Sequence, residues 1–169
     1  MGIEDNCHCN TKFNMNIRTM AEWAAEGKSP EILFWVGCAG SFDDRYKKVT
    51  LAVCRILDKV GMTYGVLGSE ESCSGDPARR AGNEFLFQMQ ALMNIQTMQA
   101  YEVKKVVTAC PHCFNTLKNE YPALGGDFEV VHHSELLQQL INAGKIKATA
   151  LLKLTPKKFV RRPTLYDHS

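Results

Sequence analysis

Short apolar runs alternate along the chain with longer segments in which apolar residues recur at helical spacing. The runs have strand length and predict four strands, at 31–36, 63–67, 104–108 and 128–131. The first of them, EILFWV, is apolar after its opening residue, which is typical of a strand buried on both faces of a parallel sheet. Caps and helical periodicity predict helices at about 19–26, 43–60, 76–101, 111–120 and 134–142.

The regular alternation of these elements predicts an α/β fold. Each right-handed crossover returns the chain to the same strand direction, so we expect a Rossmann-like three-layer domain with an open, mainly parallel sheet of about four strands. This domain occupies 31–147. We expect a polar lead-in with a short helix at 1–30 and an extended basic arm at 148–169, where no acidic residue occurs before Asp167.

The predicted helix at 76–101 is apolar on nearly every side. Its large apolar side chains are Phe85, Leu86, Phe87, Met89, Leu92, Met93, Ile95 and Met98. Helices of this kind are usually buried in a core or covered by a partner. We therefore expect this helix to have little free surface.

Charge and hydropathy exclude several classes of function. Twenty Lys and Arg residues against eighteen Asp and Glu give a formal charge of +2, which offers no electrostatic basis for a nucleic-acid partner. No apolar run reaches the roughly 18 residues of a transmembrane helix. The N-terminus MGIEDNCHCN lacks the basic flank and apolar stretch of a secretory signal. We expect a chain with no transmembrane segment of its own.

The seven cysteines carry the most information about function. In a chain without an export signal they favour metal binding or redox chemistry over a disulfide framework. Cys38 follows the first predicted strand, Cys73 lies after the second, and Cys110 and Cys113 follow the third. Loops at the carboxyl ends of parallel strands meet at one sheet edge. The sequence therefore predicts a four-thiolate metal site at that edge.

The four thiolates leave several chemistries open. They suit either a [4Fe–4S] cluster or zinc, and ligand type does not choose between the two. The CPHC sequence from Cys110 to Cys113 also resembles the redox motif of strongly oxidising thioredoxin-like proteins. Position counts against that dithiol alternative, because a thioredoxin-like fold has no use for Cys38 and Cys73 at the same edge.

Four further residues are candidate neighbours of the metal. Ser74 could donate a hydrogen bond to sulfur or act as a weak ligand. Alternatively, its only role could be to form the turn of the loop. His112 lies between two of the cysteines and is more often a hydrogen-bonding neighbour than a ligand in such sites. Arg79 and Arg80 occupy the first turn of a helix, where cations oppose the helix dipole. They could balance thiolate charge, or form salt bridges with Asp43, Asp44 or Glu84.

The remaining cysteines and two histidines have simpler interpretations. Cys54, inside an amphipathic helix, is expected to be a small buried apolar residue. Cys7 and Cys9 are spaced too closely for an ordinary metal clamp, although they could touch a partner's site. His132 and His133 are expected to be loop residues near a helix start and not ligands.

Several strings of residues resemble a known family. They are FWVGCAGSFDDR, ESCSGDPARRAGNEFLFQMQ and VVTACPHCFNTLKNEYP, arranged around the spacing CX34CSGX34CXXC. Together they resemble the cysteine-rich "CCG" domain of the heterodisulfide reductase family, in its iron–sulfur oxidoreductase branch. The family has two adjacent cysteines where this chain has Cys73 and Ser74. This departure counts against disulfide-cleaving catalysis.

The resemblance implies an electron-transfer role. It favours one [4Fe–4S] cluster held by the four cysteines, in a subunit of a heterodisulfide-reductase-like or respiratory redox complex. The implied partners are a second CCG-type half and a flavoprotein or quinone-linked subunit. The implied location is the cytoplasm or the inner face of an energy-transducing membrane. The ending PTLYDHS resembles the strand that opens a second such domain. The resemblance therefore implies either a natural half of a two-domain protein or a truncated product. A zinc-stabilised structural subunit is the main alternative.

Overall fold

The computed structural model describes residues 17–146 and contains an open sheet with helices on both faces. The predicted basic arm, together with Cys7 and Cys9, lies outside these residues. The strands are β1 Ile32–Trp35, β2 Tyr64–Gly65, β3 Lys105–Thr108 and β4 Glu129–His132. The helices are α1 Met20–Ala25, α2 Gly37–Phe42, α3 Asp44–Val60, α4 Asp76–Arg80, α5 Glu84–Ala100, α6 Pro111–Asn115 and α7 His133–Asn142.

All strand pairs in the sheet are parallel, and the strand order is β2-β1-β3-β4. The two central strands pair with Leu33 opposite Val106 and Trp35 opposite Thr108. Every crossover between strands contains at least one helix, as the alternating pattern predicts. The predicted Rossmann-like α/β fold is confirmed.

Two apolar clusters lie on opposite faces of this sheet and make three layers. On one face, Leu33 and Trp35 of β1 pack with residues of α5 and α6. On the other face, Ile32 and Phe34 of the same strand pack with residues of α3 and α7. Cys54 belongs to this second cluster and is fully buried, as expected for a small apolar residue. Alternate residues of β1 therefore serve two cores.

Several element boundaries differ from the predicted ones. The helix predicted at 76–101 is two helices, because Gly82 between them adopts φ +79° and Asn83 caps α5 by accepting a hydrogen bond from the Leu86 N–H at 3.1 Å. The strand predicted at 63–67 is reduced to Tyr64–Gly65, and Val66 forms a single bridge with Thr19 instead. After Asn115, α6 continues as a π-helical turn, Thr116–Glu120.

The expectation that the 76–101 helix has little free surface is wrong for the described chain. Phe87 and Ile95 of α5 are buried, but Phe85 is 76% exposed and Met93 is 59% exposed. Leu86, Met89 and Leu92 are also exposed. One side of α5 therefore faces the core, and the other side presents apolar residues at the surface. Among residues 17–146, no helix is long and apolar enough to cross a membrane.

Candidate metal-binding site at the sheet edge

Two candidate ligands lie where the sheet changes its direction of winding. The chain leaves β1 to one side to form β2 and then returns to the other side to form β3, so the strand order reverses between β1 and β3. In open α/β sheets, the crevice outside the carboxyl ends of two such strands is the usual ligand site. Cys38 lies in α2 directly after β1, and Cys110 lies directly after β3. The fold itself therefore places these two thiols beside the crevice.

The loop that carries Cys73 is held against the same edge by hydrogen bonds. The Asn94 side-chain amide donates to the Cys73 carbonyl at 2.9 Å, and the Tyr121 hydroxyl donates to the Ser74 carbonyl at 3.0 Å. The Ser74 hydroxyl, in turn, is 3.6 Å from the sulfur of Cys113 and donates to it. Asn94 and Tyr121 are buried, so this loop is anchored from within the core.

A carboxylate holds the turn that leads into Cys38. The Glu71 side chain accepts hydrogen bonds from the backbone N–H groups of Val36 at 3.1 Å and Gly37 at 2.6 Å. Burial raises the pKa of Glu71 to about 7, and the two N–H groups oppose this rise. Glu71 therefore ties the loop of Cys73 to the loop of Cys38.

The thiols influence one another electrostatically. The Cys113 thiol donates a hydrogen bond to the Cys110 sulfur, which, with the backbone N–H groups of Cys113 and His112, lowers the pKa of Cys110. The same contact, together with burial, raises the pKa of Cys113. Burial and the nearby Cys73 sulfur raise the pKa of Cys38. The hydrogen bond within the CxxC pair thus favours the thiolate on Cys110 over a thiolate on Cys113.

The donor set fits either a [4Fe–4S] cluster or a single zinc ion, since both accept four thiolates. Among the described residues, no three His, Cys, Asp or Glu side chains are grouped so that they could hold one metal ion. A single zinc ion needs all four sulfurs within about 2.3 Å of one point. In a [4Fe–4S] cluster each thiolate binds a different iron, so the sulfurs can stand farther apart. Four cysteines on three loops around one crevice supply thiolates that either group can use.

The charged candidate residues form a network beside the CxxC turn. Arg79 pairs with Glu120 at 3.1 Å and with Glu84 at 3.8 Å. Arg80 pairs with Glu120 and, at 3.1 Å, with Asp76. His112 Nδ1 lies 3.3 Å from the Asp76 carboxylate. Each of the three candidates therefore has an acidic partner, and the network joins α4 to the helix that follows Cys110.

Sequence reasoning missed several residues that shape this edge. Glu71, Asn94 and Tyr121 carry no motif, and only the fold brings them to the cysteines. The Tyr46 hydroxyl donates to the Ala109 carbonyl at 2.8 Å, directly before Cys110, and His132 Nε2 lies 3.2 Å from the same oxygen. The available signal was placement alone, since His132 is the last residue of β4 at the same edge.

The cysteine-bearing part of the chain matches a known protein family. The model of the cysteine-rich domain family named CCG matches residues 32–118, a span that contains all four candidate ligands. This chain belongs to the CCG family. No solved structure matches this CCG chain significantly.

Named relatives of this CCG domain are redox proteins. It is 50% identical over 122 residues to the EtfAB:quinone oxidoreductase of Syntrophomonas wolfei, covering 72% of this chain and 17% of that protein. It is 46% identical to the probable iron-sulfur-binding oxidoreductase FadF of Bacillus subtilis, covering 78% and 19%. It is 33% identical to one subunit of the dihydromethanophenazine:CoB–CoM heterodisulfide reductase of Methanosarcina barkeri, covering 69% and 30%. The chain thus spans less than a third of these relatives' length.

Proposed function

We propose that this CCG domain is an iron–sulfur electron-transfer subunit of a heterodisulfide-reductase-like or respiratory redox complex. The observation that carries the proposal is that three cysteine-bearing loops meet at the crevice between β1 and β3, where the strand order reverses. In this proposal, Cys38, Cys73, Cys110 and Cys113 bind one [4Fe–4S] cluster. The names of the relatives support iron–sulfur redox chemistry as the general class.

The cluster would supply one-electron transfer, and the protein around it would adjust the reduction potential of the cluster. The Ser74 hydroxyl is already within hydrogen-bonding range of Cys113 sulfur. Hydrogen bonds to sulfur and solvent exposure are the main means by which a protein adjusts cluster potential. The exposed position of Cys38 gives a short path from the site to a partner's surface. His112, Arg79 and Arg80 would stabilise the CxxC turn through the Asp76 and Glu120 network.

The proposal includes partners. One relative is named as a quinone oxidoreductase acting with EtfAB, and another as one subunit of a larger reductase. We extend this to a complex in which another subunit or segment supplies a second CCG-type half. In the same complex, a flavoprotein or quinone-linked component exchanges electrons with this chain. We place the complex in the cytoplasm or, because quinones reside in membranes, at the inner face of an energy-transducing membrane through its partner subunits.

The dithiol function has one observation in its favour. The lowered pKa of Cys110 beside a helix start is typical of an attacking thiolate in CxxC oxidoreductases. The same property also prepares a thiolate for metal binding, because ligating cysteines must lose their protons. A dithiol reaction of Cys110 and Cys113 would, however, leave Cys38 and Cys73 at the same edge without a role.

Metal analysis of anaerobically purified protein tests the proposal. We expect about four irons and four acid-labile sulfides per chain, with an electron paramagnetic resonance signal after reduction. Cys38→Ala and Cys110→Ala should abolish the cluster. Cys54→Ala is the matched control, because Cys54 is buried in the opposite core and its loss should leave iron content unchanged.

Two results would replace the proposal. About one zinc per chain without sulfide would identify a structural zinc domain. Protein without metal that cycles between a dithiol and a Cys110–Cys113 disulfide would identify the oxidoreductase function.

A further inference from the structure

One buried donor next to the candidate site has no partner among residues 17–146. Trp35 is the last residue of β1, three positions before Cys38, and its side chain is fully buried. Among the described residues, its indole Nε1 has no hydrogen-bond partner. Leaving a buried N–H unsatisfied costs about 1–3 kcal/mol, and most buried polar groups in proteins therefore have a partner.

The position of Gly37 locates this donor relative to the cysteines. A Cβ atom added to Gly37 would lie 3.9 Å from Trp35 Nε1 and 3.2 Å from the sulfur of Cys113. The indole edge and the Cys113 sulfur thus flank the same small space. The absence of a side chain at Gly37 keeps that space open.

The carboxylate at the same turn is already engaged by other donors. The Glu71 carboxylate, which lies at the same turn, accepts hydrogen bonds from the N–H groups of Val36 and Gly37. The chain's second tryptophan behaves differently, because the Trp23 indole N–H donates to the Tyr64 carbonyl at 3.0 Å. Of the two indoles, only that of Trp35 lacks an acceptor within the described residues, and it is the one beside a candidate ligand.

We propose that the Trp35 indole N–H donates a hydrogen bond to a sulfur of the bound iron–sulfur cluster, either a bridging sulfide or the Cys113 thiolate. This inference rests on the proposed function. Both kinds of sulfur carry negative charge in a bound cluster, and an N–H group aimed at them stabilises the reduced, more negative state. Trp35 is therefore a residue that sets the cluster potential, with no proton or electron passing through it.

Isotope labelling tests this contact without altering the protein. Protein carrying ¹⁵N only in its two indole rings is loaded with cluster, reduced, and measured by pulsed electron paramagnetic resonance. We expect one ¹⁵N coupling to the cluster. Trp23→Phe should retain this coupling, whereas Trp35→Phe should lose it.

A redox titration measures the consequence. Removing the donor in Trp35→Phe should lower the ratio of reduced to oxidised cluster about tenfold at a fixed ambient potential, equal to a downward shift of about 59 mV for one electron. The Trp23→Phe variant should titrate like the unaltered protein. A purely structural role for Trp35 would change iron content or stability without a ¹⁵N coupling in the unaltered protein.

The outcomes separate this inference from the proposed function. A cluster signal without any indole ¹⁵N coupling overturns the role of Trp35 and leaves the cluster proposal standing. Absence of any cluster, with zinc in its place, overturns the proposed function itself. If Trp35→Phe fails to fold, the labelled unaltered protein and the Trp23→Phe variant still decide the question.

Discussion

Neighbouring residues of the same type have very different roles at this sheet edge. Glu70 is exposed and accepts a hydrogen bond from the Tyr101 hydroxyl at 2.6 Å. Glu71 accepts hydrogen bonds from two backbone N–H groups and thereby fixes the turn before Cys38. Nothing in the sequence separates these two glutamates, because the difference arises from which backbone the fold brings opposite each of them. The cysteines could be named as candidate ligands from the sequence because thiols have few common uses, whereas carboxylates have many.

The two glutamates give a matched pair of substitutions. Glu71→Gln replaces one carboxylate oxygen by an NH₂ group, which would face a backbone N–H. We expect the free energy of unfolding of the cluster-free protein to fall by about 1–3 kcal/mol. Glu70→Gln, at an exposed position, should change it by less than about 0.5 kcal/mol. Urea denaturation measures both values, and equal effects would contradict the role assigned to Glu71.

The elements near the site show what periodicity alone cannot predict. The four strands and most helices could be predicted from apolar spacing and caps. The position of the cysteines after three of these strands predicts that they lie at one edge of the sheet. Helix α2, with the sequence GCAGSF, has no such signal, and the hydrogen bonds from Val36 and Gly37 to Glu71 set its start. The break between α4 and α5 has a local signal in Gly82 and Asn83. The apolar pattern, which continues on both sides, concealed that signal.

Two glycines that flank α4 provide a test at the scale of elements. Gly75 has φ +89°, and a Cβ there would lie 2.8 Å from the Phe87 ring and 3.3 Å from the Phe87 carbonyl. Gly82 has φ +79°, and a Cβ there would meet nothing within 4 Å. Both left-handed positions disfavour alanine by about 1–2 kcal/mol.

Gly75→Ala should therefore be the more damaging substitution. We expect Gly82→Ala to lower the free energy of unfolding by about 1–2 kcal/mol, and Gly75→Ala to cost about 1–3 kcal/mol more through overpacking against Phe87. Because Gly75 follows Cys73 and Ser74, iron content should fall in this variant alone. Denaturant unfolding and iron analysis provide the measurements. A smaller loss in Gly75→Ala than in Gly82→Ala would be inconsistent with the packing described here.

At the scale of the whole molecule, the apolar side of α5 is the largest difference between expectation and structure. The sequence shows that the helix is apolar all round, but it does not show how many sides this chain can cover. Residues on the sheet side, such as Phe87 and Ile95, are buried, while Phe85 and Met93 are exposed. A contiguous exposed apolar surface promotes association between protein molecules.

A substitution on each side of α5 separates solubility from stability. Met93→Lys should reduce self-association of the isolated protein and change its free energy of unfolding by less than about 0.5 kcal/mol. Ile95→Ala, which removes a buried side chain, should cost about 2–5 kcal/mol. Sedimentation velocity measures association, and urea denaturation measures stability. A loss in Met93→Lys as large as that in Ile95→Ala would show that Met93 is part of the core.

The separation of the cysteine-bearing loops along the chain would give a cofactor bound by them a mechanical role. Cys38 and Cys73 are separated by 34 residues, and Cys73 and Cys110 by 36. A group bound to all three loops restricts the unfolded chain as a set of cross-links does. Strand β2, which precedes Cys73, contributes only two residues to the sheet. The group that carries the electron would therefore also brace the most weakly paired edge of the sheet, so that losing it would loosen the fold together with the function.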